Sequence, residues 1–595
     1  MTNSVIKNFK MIWTKNITRY LAKNINHFNS NLIRTSTNYQ VKAFKKSYNQ
    51  QKSHPKSESS TKSVGIVSDI SKISTITRFE DELAFRRSQA SNSILFKIEH
   101  EHDLNNLVDD LEKIGSKISN ILVMDEANNL NSRAVMVEFS CKKSTDDILN
   151  NFGIHFSNND HLPCKTRLIV YRSQTKRDNQ KTHRKNFITK NFTSSERDQI
   201  NNPNIKLSEK FSFLKPSQTL DNQIRTIYDK FKLDEIGIRI RFFVASIIEE
   251  SFYSLFRNCL CLPFGSSAIN FGHRTTDLDL LFSIDNTFFN TQLDEKKQLR
   301  LNGKMIFYSK YGRNEKERDL AKKFLELSKF ILSDILPKFN VRQLIKGARV
   351  PILEFDFELP SAQKLNCDLS MSNLQISFQM TKLFWTYTKM DSRVAPLIFF
   401  LKYWAKITGV TNTFRPSPNI TNFQLTVLIL NFLLRLDKPL IVPLENIITY
   451  IKGKGPDIEL KYLVNDNLDI VEIKEIVKDK NKITLNELMM GFFNYYSNFD
   501  FDSNVISLSR QLNIKSDQYK HESLVILNPF MPEMNASKNV NRKLLKKFAF
   551  FCNQSYEIMQ ANDSLDLVKF LEILKEKSKG FSDESTKSLA DQMNA

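Results

Sequence analysis

Pro263-Phe264-Gly265-Ser266-Ser267, then Asp277-Leu278-Asp279-Leu280-Leu281-Phe282, is the stretch whose reading decides the fold. Side chains alternate along an extended chain, so Asp277 and Asp279 share one face of a strand. The apolar run Leu280, Leu281, Phe282 and Ile284 carries that strand into a core. An isolated Asp-x-Asp is commonly a solvated turn. Two further features set this one apart: Gly265-Ser266 upstream, and a third carboxylate in Asn366-Cys367-Asp368-Leu369. Val350 to Phe357 and Asn366 to Leu369 read as two extended segments, which puts Asp368 in strand context.

Three aspartates on neighbouring strands suit attack on the α-phosphorus of a nucleoside triphosphate. Two divalent ions about 3.5 to 4 Å apart align the attacking and leaving oxygens, and carboxylates bridge them. Hard ions such as Mg²⁺ or Mn²⁺ take oxygen ligands, and Mg²⁺ keeps several waters. Gly265-Ser266 permits close backbone approach, and free N–H groups at the start of a following helix can receive phosphate. The pattern describes a nucleotidyltransferase and resembles the DNA polymerase β-like superfamily.

Past the third aspartate, Asp391-Ser392 can cap a helix whose apolar positions are Val394, Leu397, Ile398, Leu401 and Ala405, ended by Gly409. Lys402 and Lys406, four apart, share a face and could reach a triphosphate tail; alternatively they are solvated. Thr421-Asn422-Phe423-Gln424 is a capping box in sequence, whose first turn offers free amides and Phe423.

Leu401-Lys402-Tyr403-Trp404-Ala405-Lys406, Thr421-Asn422-Phe423, and Asn528-Pro529-Phe530 with Asn535 resemble the noncanonical poly(A) polymerase and terminal uridylyltransferase family, its mitochondrial members above all, over roughly residues 80 to 565. The resemblance implies that Asp277, Asp279 and Asp368 bind two metal ions and that Asp368 helps deprotonate the 3′-hydroxyl of an RNA end. It further implies that Phe264, Gly265, Ser266, Lys402 and Lys406 meet the phosphates of ATP, and that Asn422 and Phe423 meet the nucleotide, Phe423 by stacking. Gln379 stands where some relatives place a ribose-binding Asn, so ribose recognition is unassigned. Members that select UTP often carry His just before the equivalent of Asn535. Met534 occupies that place, and a thioether offers uracil no donor. Met534 and Asn535 are therefore the candidate base selectors, with ATP expected over UTP.

Composition fits a nucleic-acid enzyme. The net charge is +21 and the pI about 9.4, which favours a polyanionic partner without specifying which. Residues 1 to 57 hold eleven Lys plus Arg and no Asp or Glu, and their removal would leave +10. Val5, Ile6, Phe9, Ile12, Trp13, Ile17 and Leu21 recur there at helical intervals among basic residues. That is the character of a mitochondrial transit peptide, with an RNA-binding tail as the alternative. No run of about twenty apolar residues appears, so no membrane span is expected. The six cysteines show no zinc spacing.

The expected organisation is a transit peptide (1–57), a linker (58–89), an α+β domain like the RNA-recognition motif (90–172) and a basic linker (173–215). An α/β palm with two leading helices (216–384), a helical PAP-associated domain (385–575) and a disordered tail (576–595) follow. In the recognition-motif-like domain, the strand Ser132 to Phe139 lacks the aromatics that stack bases, which favours protein contact. The resemblance implies a homodimer through it. The expected activity is addition of AMP to RNA 3′ ends in the mitochondrial matrix. The alternatives are a uridylyltransferase and a catalytically idle RNA-binding or dimerisation partner.

Overall fold

The computed structural model describes residues 76–99, 102–115, 117–125, 133–151, 166–171, 205–215, 217–253, 256, 259–269, 271–283, 317–348, 350–359, 364–371, 374–411, 419–452, 469–471, 482–509, 513–562 and 565–593. The expected transit peptide and most of the expected basic linker lie outside the described residues.

The described chain begins with helix α1 (Phe79–Ser91), inside what was expected to be linker. Its low overall apolarity reads as linker, yet Phe79 packs between Phe378 and Trp385, with ring centroids 5.4 and 5.5 Å away. Its charges are tied down rather than solvated. Glu80 pairs with the buried Lys382, Arg86 with Glu235 at 2.5 Å and Arg87 with Glu249 at 2.8 Å, while Glu82 accepts from the Trp385 indole at 2.7 Å.

Next come β1 (Ser93–Ile98), α2 (His102–Lys113), β2 (Ile118–Asp125), β3 (Arg133–Phe139), α3 (Lys142–Asn151) and β4 (Leu168–Val170), in sheet order β2-β3-β1-β4. The element order is the expected one. One direction differs: β4 runs parallel to β1. Since β3 is antiparallel to β1, a regular crossover from β3 would bring β4 in antiparallel to β1.

Alternation gives this sheet two dry faces. Phe96, Val123, Val135 and Ile169 pack on Leu104, Leu107 and Ile148 of its own helices. Leu95, Leu122, Met124, Ala134, Met136 and Leu168, on the other face, join one continuous core with Ile236, Ile240, Phe243 and Ile247. At the edge of that contact, the Arg239 guanidinium is shared between Glu138 and Glu235, and Arg167 meets Glu250 at 3.0 Å and the Phe243 ring at 4.9 Å.

A short helix α4 (Leu207–Lys210) replaces the end of the expected basic linker, because Leu207 and Phe211 find buried sites. Helices α5 (Leu220–Phe231) and α6 (Glu235–Phe252) follow, capped by Thr219 and Asp234. The palm consists of β5 (Leu260–Pro263), β6 (Leu278–Ser283), α7 (Glu317–Asp334), β7 (Phe339–Ile345), β8 (Ile352–Glu358) and β9 (Lys364–Ser370), in sheet order β5-β6-β9-β8-β7. Leu278, Leu280 and Phe282 of β6 and Leu365, Cys367 and Leu369 of β9 point into one core. Phe282 stacks on Phe324 of α7 at 4.5 Å; truncating such a ring to alanine costs about 3 to 5 kcal/mol. The opposite face of the same strands is left to Asp279 and Asp368.

Helix α8 (Leu374–Met390) runs unbroken across the expected boundary at 384/385, since Leu383, Phe384, Trp385 and Tyr387 are all buried along it. The helical part then contains α9 (Val394–Ile407), α10 (Asn422–Arg435), α11 (Leu444–Lys452) and α12 (Leu485–Ser497). After short strands β10 (Asn504–Val505), β11 (Asn513–Ile514), β12 (Leu527–Asn528) and β13 (Met531–Asn535) come α13 (Arg542–Gln560) and α14 (Leu567–Met593). Asp391 does not cap α9. The N-cap is Arg393, whose N–H and guanidinium both bond the Asp391 carboxylate. Gly409 does end that helix region, at φ 65°. Most of the expected disordered tail continues α14: Leu567, Phe570, Leu571 and Leu574 anchor the helix, and no proline follows to stop it.

Candidate active site

β6 and β9 are parallel neighbours, and their register sets Asp279 directly against Asp368. Asp277 stands one residue before β6, exposed, with its Oδ1 accepting from the Asn366 amide at 3.1 Å. Among the described residues, none of the three aspartates pairs with a lysine or arginine. Burial, with Asp368 and Asp277 adding repulsion, pushes the Asp279 carboxyl up to about 7. Burial likewise lifts Asp368, helped by Asp277 and Glu354, to about 6.

Among the described residues, no three acidic, His or Cys side chains close round a point tightly enough to enclose a metal. The aspartates form an open, uncompensated oxygen cluster. That donor set fits a hard divalent ion whose remaining positions hold water or substrate, and it does not fit a closed structural site.

The turn beneath Asp279 is a three-residue 3₁₀ turn, Gly265–Ser267, rather than the full helix expected after Gly-Ser. Ile269 and Phe271 are buried, which draws the chain inward too early for a longer helix. Gly265 has φ +59°, and a Cβ there would lie 3.4 Å from Asp279 Oδ2. Its N–H donates to Thr381 Oγ1 at 3.2 Å, and the Phe264 N–H to the Asp279 carbonyl at 3.0 Å. Ser266 is half-buried, and its carbonyl would lie 2.5 Å from any Cβ at residue 272, so only glycine fits there.

Sequence reasoning missed the clamp on the following loop. The buried Arg241 guanidinium donates to the carbonyls of Arg274 and Thr276 at 3.1 and 2.6 Å, and Arg274 in turn pairs with Asp234. This fixes the backbone just ahead of Asp277. Thr381 and Gly272 were missed as well: a threonine on a helix and a second glycine carry no signal until their neighbours are known.

Lys402 and Lys406 lie on α9, both half-buried. The Lys402 ammonium sits 4.0 Å from the centre of the Phe271 ring, and burial pushes it down to about 7; burial lowers Lys406 too. A chain of rings leads from Phe271 to Phe384 at 6.4 Å and on to Phe423 at 5.9 Å. The structure thus links the glycine turn, the lysine helix and the start of α10. The expected capping box is present: Gln424 N–H donates to Thr421 Oγ1 at 3.2 Å, and Thr421 N–H to Gln424 Oε1 at 2.9 Å. Asn422 is exposed and Phe423 half-buried in that first turn.

The Gln424 amide also donates to the Ala536 carbonyl at 2.9 Å, which ties the end of β13 to Phe423 and leaves Met534 half-buried close by. Asn535 is a correction. It is 1% exposed, and its amide is fully engaged within the protein. Nδ2 donates to the Leu524 carbonyl at 2.9 Å and to Glu522; Oδ1 accepts from Ile526 N–H at 2.9 Å and Ser537 N–H at 2.8 Å. No valence is left for a base, so Asn535 shapes the segment that presents Met534.

With this geometry in hand, likeness to known proteins is informative. Residues 220–389 match the central palm domain of the "Poly(A) RNA polymerase, mitochondrial-like" family, and residues 484–539 match the "Cid1 family poly A polymerase" domain. The chain is 28% identical to the human "Poly(A) RNA polymerase, mitochondrial", over 82% of this chain and 78% of that protein. It is 31% identical to the mouse protein of the same name, over 59% of this chain and 58% of that one. A solved structure, "Crystal structure of mtPAP in complex with ATPgammaS", superposes with a TM-score of 0.68 at 27% identity, covering 84% of this chain and 99% of that chain. The expected resemblance is borne out, as are the palm and the PAP-associated domain.

Proposed function

We propose that this chain, a nucleotidyltransferase of the mitochondrial-type poly(A) polymerase family, adds AMP from ATP to RNA 3′ ends without a template and releases pyrophosphate. The observation that carries the reading is the Asp279 to Asp368 register above the Gly265 turn, because it sets two carboxylates that pair with no lysine or arginine beside a glycine turn that phosphate can approach closely. Asp277, Asp279 and Asp368 would hold divalent ions, Mg²⁺ or Mn²⁺, which when bound neutralise triphosphate charge and lower the pKa of a coordinated hydroxyl.

The chain's own residues supply the rest. Asp368, set against Asp279 on the neighbouring strand, is suited to take the proton of the RNA 3′-hydroxyl. Phe264, Gly265 and Ser266 form the turn on which the phosphates rest, and Lys402 and Lys406 neutralise their outer end. Phe423 offers a face to the base, with Asn422 beside it. Met534 leaves room for adenine without rewarding uracil. Relatives crystallised in complex with ATPgammaS, CTP, GTP and UTP support a nucleoside triphosphate as substrate, and the relatives' name, poly(A) RNA polymerase, supports ATP.

Three further readings rest on sequence and resemblance. Residues 1–57 direct the chain to the mitochondrial matrix, in keeping with the names of its relatives. The domain at 90–172 is a recognition-motif relative that makes protein contacts. The chain works as a homodimer through surfaces of that domain other than the sheet face already covered by α6. Purified protein incubated with a labelled oligoribonucleotide and each of the four triphosphates separately tests the activity. Extension with ATP alone, or best with ATP, is expected; equal use of UTP would reject the adenylyl assignment, and no extension would reject the enzyme.

A further inference from the structure

His273 belongs to none of the groups assigned above, yet the fold holds it tightly. Its backbone forms a short antiparallel bridge with Lys232, and the Leu233 N–H donates to the Gly272 carbonyl at 2.7 Å. Its ring stands edge-on to Phe399, centroids 6.3 Å apart. Phe399, Lys402 and Lys406 follow one another at helical spacing on α9, so the imidazole faces the stripe that carries both lysines. Phe271, two residues earlier, lies under the Lys402 ammonium. The loop between the glycine turn and Asp277 therefore places His273 beside the two lysines.

The charges acting on the ring are Lys406 and Lys402 from α9 and Arg241 from α6. The ammonium of Lys232, the paired residue, is turned to Asp229 at 2.6 Å. Burial and those three cations push the imidazole down to about 3, so it is neutral at working pH. A neutral imidazole has one donor nitrogen. Thr275 Oγ1 lies 2.8 Å from Nδ1, and a threonine hydroxyl donating there leaves the proton on Nε2.

We propose that His273 is a further triphosphate contact: its Nε2–H donates to the β- and γ-phosphate oxygens beside Lys402 and Lys406, while Thr275 holds the ring in that tautomer. The inference rests on the nucleotidyltransferase reading. A neutral donor explains why histidine suits this position. It adds a hydrogen bond to the polyanion without a third ammonium's repulsion beside Lys402 and Lys406.

Pyrophosphate carries the same two phosphates and binds without catalysis, so calorimetric titration of pyrophosphate into the full chain in Mg²⁺ is the primary test, with steady-state ATP kinetics beside it. His273→Ala is expected to weaken pyrophosphate binding and raise KM for ATP, each about tenfold, with kcat within about twofold. His273→Gln, whose amide N–H reaches about as far as Nε2, is expected to restore most of both. Unchanged pyrophosphate binding in His273→Ala would overturn the proposal. So would a His273→Gln as impaired as His273→Ala, because the ring's packing on Phe399 would then be what matters. A wild-type chain that adds no nucleotide would sink the enzymatic reading alone, since the pyrophosphate titration still decides His273.

Discussion

Asp279 and Asp368 face each other across adjacent parallel strands, and burial raises the proton affinity of both, with Asp368 adding repulsion at Asp279. Both carboxyls have a folded pKa above the unfolded value, so their protonation stabilises the ion-free fold at low pH. That contribution is lost as pH rises through about 6 to 7. A divalent ion competes with those protons. The rise in melting temperature on adding Mg²⁺ should therefore be larger at pH 8 than at pH 5.5, and Asp279→Asn should remove most of the difference. An equal Mg²⁺ effect at both pH values would mean that the pair is not the ion site. Asp279→Ala should also abolish nucleotide addition in Mg²⁺, measured on a labelled RNA.

Burial pushes the Lys402 ammonium down to about 7, so part of the population is uncharged at neutral pH. A triphosphate beside it favours the ammonium, and ATP binding at pH 7.5 should take up protons. Calorimetry in two buffers of different ionisation enthalpy reads this directly. Lys402→Met should abolish the uptake and raise KM for ATP by about tenfold, with a smaller change in kcat. Buffer-independent heats in the wild type would contradict the assignment.

Asn535 and its neighbour should separate cleanly. Asn535→Ala removes a buried, fully bonded amide and should lower stability by about 2 kcal/mol in denaturant unfolding, with the ratio of ATP to UTP use unchanged. Met534→His should leave stability nearly alone and move that ratio towards UTP by about two- to tenfold, as one new hydrogen bond would. A shift in base choice from Asn535→Ala alone would reverse these roles.

Glu80 is the partner of the buried Lys382, next to the Thr381 that accepts from the Gly265 N–H. Glu80→Ala leaves an ammonium buried and should destabilise the protein by about 2 kcal/mol, discounted for the part-exposure of Glu80. It should also lower kcat several-fold through the displaced turn. A variant with normal turnover and stability would show that α1 is dispensable.

The sequence made the strand pair, the third aspartate and the Thr421 capping box readable because each depends on residues a few positions apart. Helix α1 was not readable: Arg86 and Glu82, for instance, find their partners 149 and 303 residues away in the chain. The same holds for Arg241, which reads as one cation on an amphipathic helix until the loop carbonyls fold over it. The missing aromatics of β3 did point to protein contact. The structure supplies the contact within the chain, through Ala134 and Met136 against α6. Asn535 was misassigned because its motif marks a position without revealing which way an amide turns.

The core shared between the N-terminal domain and the palm also sets a timetable for biogenesis. During synthesis, the face carrying Leu95, Met124 and Met136 is made well before Ile240 and Phe243 that cover it, and Glu80 waits 302 residues for Lys382. A nascent chain therefore carries an uncovered apolar face until the palm's long helix is complete, which is the period when aggregation competes with folding. Such sequence-distant closures make refolding from denaturant slow, and fragments that end between residues 171 and 235 should be captured by chaperones rather than accumulate as free domains.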